Sequence, residues 1–163
     1  MKQPWSSILG ESLCGFGVAL PVVWLVSYLW LTLLIFLNKC GLNVPLCEQG
    51  TVVLFTKLSG FFPKFLFSIM VVILAPIMEE LIFRGGLYRA FRSNLSRRSA
   101  AILTSAIFAT LHFNLVSLLP LYVLSFLLIK SYDRFGSVLI PISIHAAFNC
   151  NSLLLILLFK AQI

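Results

Sequence analysis

The chain has 163 residues, 60% hydrophobic and 10% charged, with a net charge of +7 and a mean hydropathy of +1.04. A water-soluble domain carries roughly a quarter charged residues, so the composition excludes one and points to an all-α integral membrane protein. The basic balance does not indicate nucleic acid, because five of the twelve basic residues crowd between Arg84 and Arg98, and basic loops beside membrane spans stay on the cytoplasmic side.

The first charge-free stretch runs for 27 residues, 12–38. About 20 apolar residues cross a bilayer, so this is one span. It is too long for a signal-peptide core and no small-residue cleavage site follows, so it reads as a retained first helix. The next loop holds Cys40 and Cys47, which can form a disulfide if it faces an oxidising space. Cys14 and Cys150 fall inside predicted spans, where a thiol serves as a small hydrophobe. The four cysteines form no zinc pattern. Residues 51–62, with Lys57 and Gly60, suit a short interfacial or re-entrant helix.

Residues 65–93 form the next span, interrupted by a charged motif. Residues 99–129 give 31 without a charge. Broken near 114–120, they suit two short, tilted helices. Residues 135–159 give 25 more and one helix. The expected architecture is a polytopic bundle of about five transmembrane helices. It forms a single membrane-embedded domain, 1–163, with no linker or internal repeat. Lys130 and Arg134 mark a second basic loop, two spans after the first. The uncharged stretch 114–117 suits the far side. The N-terminus is therefore expected in the cytoplasm, and the C-terminus outside. The three lysines of residues 39–64 fit this orientation least.

Three polar sites break the apolar pattern: Glu79-Glu80-Leu81-Ile82-Phe83-Arg84, Phe108 to His112, and His145 to Asn149. They contain both histidines of the chain and two of its five acidic residues. A carboxylate in hydrocarbon is costly unless paired or protonated, and two adjacent ones repel. Each site holds a pair at i and i+4, which share a helix face. Glu80 and Arg84 can thus form an ion pair, while Glu79 lies about 100° around the helix. Glu80 reads as the orienting carboxylate held by Arg84, and Glu79 as the working base. His145 and Asn149 present donors to one spot. Counted from Arg92, Arg98 and Arg134, the residues Glu79, His112 and His145 lie roughly 20, 21 and 17 Å from the cytoplasmic rim. Three helices thus put polar residues at similar depth. Pro76 kinks the helix ahead of the carboxylates. Gly85 and Gly86 after them suit a cavity wall or close helix packing.

This set allows hydrolysis by an activated water. A carboxylate can take the water proton and a histidine can share the task. A second histidine and an asparagine amide can stabilise an oxyanion. No serine or cysteine stands out as a nucleophile. Simpler readings exist for each member: a surface-type salt bridge, an arginine snorkelling to the interface, a histidine bonding between helices, and Phe108 as packing.

The three motifs resemble those of the CPBP family, the CAAX prenyl endopeptidases and bacteriocin-processing enzymes. That family carries EExxxR, FxxxH and HxxxN or HxxxD on successive membrane helices. Here they are matched by Glu79, Glu80 and Arg84, by Phe108 and His112, and by His145 and Asn149, with Phe83-Arg84-Gly85 matching an FRG extension. The resemblance covers about 65–155, the expected catalytic core. It implies an intramembrane glutamic endopeptidase in which Glu79 and His112 activate water and His145 and Asn149 form the oxyanion hole. The implied partners are a bilayer and a membrane-associated protein or peptide, cut in a C-terminal tail or leader. No cofactor is implied. Zinc on the two histidines and a glutamate is the less favoured version: HExxH is absent, and a guanidinium nearby disfavours a cation. The short chain favours a compact prokaryotic member in the cytoplasmic membrane. A non-proteolytic immunity or scaffold protein of the same fold is the other class of reading. A proton-coupled transporter is weaker, since no inverted repeat is seen.

Overall fold

A computed structural model describes residues 5–160. Among them every regular element is a helix: α1 (Trp5–Lys39), α2 (Gly50–Lys57), α3 (Phe61–Arg92), α4 (Arg97–Thr110), α5 (Leu115–Phe135) and α6 (Leu139–Lys160). Local chemistry sets the boundaries. Gly60 enters α3 at φ 84° and Gly136 closes α5 in the left-handed region at φ 68°, where glycine is free of a Cβ clash. Ser96 caps α4 by accepting the Ser99 N–H at 3.1 Å. Asn114 caps α5 by accepting the Ser117 N–H at 2.9 Å. Such caps satisfy donors that helix starts leave unpaired.

Among the described residues four helices are long and apolar enough to cross a membrane: Ser6–Lys39, Phe61–Arg92, Leu115–Phe135 and Leu139–Phe159. The large apolar side chains on their outer faces, such as Leu13, Tyr28, Phe36, Met78 and Leu158, are exposed. Lipid solvates such a surface. The protein is an integral membrane helical bundle. Residues 99–129 divide unequally. α4 has 14 residues, about 21 Å at 1.5 Å per residue, whereas α5 alone is long enough to span. α3 begins earlier than expected because Gly60 separates it from α2. Cys40 and Cys47 are both free thiols, so the disulfide their loop could form is not made in this structure.

α1 packs along α5 and α6, α4 along α5, and α6 against α3. One core joins Ala19 and Val23 of α1, Leu124 and Leu128 of α5, and Ile144 and Phe148 of α6. α1 and α6 meet so closely that a Cβ on Gly15 would lie 2.5 Å from Ile144. A second core of Tyr88, Ala100, Ala101 and Ile129 joins α3, α4 and α5. At that end the Tyr88 hydroxyl donates to Asp133 at 2.7 Å, and Arg97 lies 3.5 Å from the same carboxylate. This brings the two basic turns to one end of the bundle. Between the cores, α3, the end of α4, and α6 carry the three polar motifs.

Candidate active site

Glu79 and Glu80 lie in a short α-helical segment of α3, Ala75–Glu80, between two π-helical stretches, Met70–Leu74 and Leu81–Leu87. Neighbours on a helix point about 100° apart, and here they enter different media. Glu80 is fully buried. Its Oε1 accepts from Arg84 Nη1 at 2.7 Å and lies 2.9 Å from His145 Nδ1. Arg84, also fully buried, donates from Nη2 to the Ser125 carbonyl at 3.0 Å and hydroxyl at 2.9 Å. It does not snorkel. Its guanidinium lies 5.1 Å from the centre of the Phe108 ring, a cation–π distance. The ion pair therefore joins α3, α5 and α6 in one dry cluster.

Glu79 faces the other way, onto a cavity of about 420 Å³ lined also by His112, His145 and Asn149. Its side chain is 30% exposed, and its Oε2 stands 3.8 Å from His145 Nε2. That is beyond hydrogen-bond length, and among the described residues Oε2 has no hydrogen-bond partner. His145 is thus held at one nitrogen by Glu80 and offers the other towards Glu79. A carboxylate accepts, so His145 Nδ1 carries the proton in this contact.

His112 sits just past the last residue of α4. Its Nδ1 lies 2.8 Å from the Phe108 carbonyl, one of the acceptors a helix end leaves free. That contact puts the proton on Nδ1 and leaves Nε2 a lone pair. The next residue, Phe113, adopts φ 48° and turns the chain away from the helix axis. Phe108 is fully buried and is more than filler. Besides Arg84, its ring centre lies 4.8 Å from His112, 5.9 Å from His145 and 5.0 Å from Phe83. Asn149 donates from Nδ2 to the Val71 carbonyl at 2.8 Å.

The structure thus places Glu79, His112, His145 and Asn149 on one cavity, with Glu80, Arg84 and Phe108 behind it. Three features escaped the sequence. Ser125 stood in an apolar run with no motif around it, and its polarity inside a span was the sole signal. The Glu80–His145 contact crosses 65 positions, and neither spacing nor period could reveal it. The remaining cavity walls include Trp24 and Ser27 of α1 and Thr51 and Phe55 of α2, with Gln49 just before it. α2 is therefore a wall of the cavity. It is docked by Phe55, whose ring centre lies 5.9 Å from that of Phe67. Among the described residues no three His, Cys, Asp or Glu side chains converge to hold a metal ion.

The family model described as type II CAAX prenyl endopeptidase Rce1-like matches residues 61–151, which include all three polar motifs. No curated protein and no solved structure matches the chain.

Proposed function

This chain belongs to the Rce1-like family of type II CAAX prenyl endopeptidases, and on that premise we propose that it hydrolyses a peptide bond in a membrane-associated protein or peptide, at a C-terminal tail or leader, using water activated by Glu79. The observation that carries this reading is the single cavity onto which Glu79, His112, His145 and Asn149 all open.

The steps follow from the donors and acceptors present. His112 Nε2 accepts a hydrogen bond from the water and orients the molecule, which keeps that proton. Glu79 takes the other as the oxygen attacks the carbonyl carbon. The oxyanion accepts from the second Nδ2 hydrogen of Asn149 and from the Nε2–H of a His145 ring that has taken a proton from bulk water before substrate binds and is braced at Nδ1 by Glu80. Collapse breaks the C–N bond, and Glu79 returns its proton to the leaving amine. The bilayer supplies the setting, and basic turns at one end of the bundle support a cytoplasmic N-terminus.

Comparison of protein N- and C-terminal peptides from membranes holding the wild type or Glu79→Gln tests the reading. A product seen with the wild type alone supports it and names the substrate. Full biological function of Glu79→Gln would overturn it in favour of a non-proteolytic role. Cleavage that survives strong chelation removes the zinc version.

A further inference from the structure

Asn149 stands over a defect in the backbone of α3. Ala75 N–H bonds to the Met70 carbonyl, five residues back. In an α-helix that N–H would have served Val71, so the π turn takes it away. The next N–H in the same register would be that of residue 76, but Pro76 has none. Val71 therefore keeps a carbonyl that neither register can satisfy with backbone. An unpaired carbonyl at this depth costs free energy comparable to a lost hydrogen bond. Asn149 Nδ2 fills it at 2.8 Å, and Pro76 is itself fully buried.

We propose that Pro76 is a positioning residue: by withholding an N–H from Val71 it creates the acceptor that turns the Asn149 amide, nitrogen first, towards the cavity. An asparagine side chain can present either its oxygen or its nitrogen, and only the nitrogen suits an oxyanion. The Val71 carbonyl decides between them. One Nδ2 hydrogen is used on Val71, and its twin is left for the substrate oxygen. The kink and the oxyanion donor are then one device, made by a π turn followed by a proline. This rests on the oxyanion role given to Asn149 above, whereas the backbone part stands apart from any activity.

Two arms separate those parts. Val71 carrying a 13C=18O carbonyl is followed by infrared spectroscopy. In the otherwise native chain, Asn149→Ala should shift the band to higher frequency as the hydrogen bond is lost. In Pro76→Ala the new N–H should occupy the carbonyl, so that Asn149→Ala no longer moves the band. Lactic acid at position 76, the ester counterpart of alanine, has neither ring nor N–H and should restore the response. An equal response in Pro76→Ala and the native chain overturns the proposal. The second arm uses a synthetic peptide spanning the cleavage site found by terminal proteomics. Pro76→Ala should lower kcat about tenfold at unchanged KM, a fraction of the 10²–10³ expected for losing an oxyanion donor. The lactic acid variant should recover most of kcat. Equal rates for alanine and lactic acid overturn the positioning role. Absence of cleavage by the native chain overturns the peptidase reading and leaves the infrared result to judge the backbone device.

Discussion

Two faces of α3, one residue apart, have been given opposite environments. On the Glu80 face every group is dry. Glu80, Arg84, Ser125 and Phe108 are fully buried, and the carboxylate already serves two partners at 2.7 and 2.9 Å. On the Glu79 face the carboxylate reaches a 420 Å³ cavity and its side chain is 30% exposed. A fully buried carboxylate tied through Oε1 to Arg84 and His145 is out of reach of water, although its Oε2 has no hydrogen bond among the described residues. One that opens onto the cavity is within reach. The contrast teaches that adjacency in sequence is no guide to shared function when a helix turns 100° per residue. His145 touches both carboxylates, through Nδ1 to Glu80 and Nε2 towards Glu79.

The largest effect should come from exchanging each carboxylate for its amide. Glu79→Gln should lower cleavage by about 10²–10⁴-fold, the range for losing a general base, with the melting temperature in detergent unchanged. Glu80→Gln should lower both rate and melting temperature. If Glu80→Gln abolished turnover in folded protein while Glu79→Gln did not, the two roles would be reversed.

Arg84→Leu probes the dry face alone. Removing one partner of a buried ion pair leaves the other uncompensated, at about 3–5 kcal/mol. Unfolding in detergent should report a loss of that size, and Glu80→Leu added to Arg84→Leu should recover part of it. An Arg84→Leu chain as stable as the native one would mean that Glu80 is not held by charge. Phe108→Leu should cost less, about 1–2 kcal/mol, combining a near-volume-conserving core change with a lost cation–π contact.

Much of this division was legible beforehand because it depends on local helical geometry. Glu80 with Arg84 follows from i, i+4 spacing, and the outward turn of Glu79 follows from the same period. Composition together with charge-free stretches of 25 to 31 residues was enough for an all-α membrane fold, since each is long enough for a membrane helix. What depends on tertiary contact was not legible. His145 meets Glu80 across 65 positions, and Arg84 meets Ser125 across 41. The unequal division of residues 99–129 also escaped, because a charge-free stretch carries no mark of where one helix stops. The Asn114 cap and the left-handed turn at Phe113 made that decision, and a phenylalanine is an uncommon residue for such a turn. Proline was seen as a kink, but the carbonyl it leaves free belongs to Val71 because of a π turn that no propensity predicts.

Ser125→Ala should have the smallest effect and tests whether the dry face reaches the chemistry at all. The substitution removes a hydroxyl 2.9 Å from Arg84 Nη2 but leaves the Ser125 carbonyl at 3.0 Å. The guanidinium therefore keeps a partner, and the stability loss should be about 1 kcal/mol, below the 1.5–3 typical of a hydrogen bond to a charged group. The kinetic consequence travels further. Arg84 sets Glu80, Glu80 sets His145 Nδ1, and His145 Nε2 faces the cavity. A small rotation of Arg84 is thus passed to a ring whose position matters at the ångström scale. The expected result is a kcat lowered about threefold at unchanged KM, with Ser125→Cys closer to the native value because it keeps a small polar group there. A change in stability with no change in kcat would confine Ser125 to packing and would show that the two faces of α3 are independent despite the histidine between them.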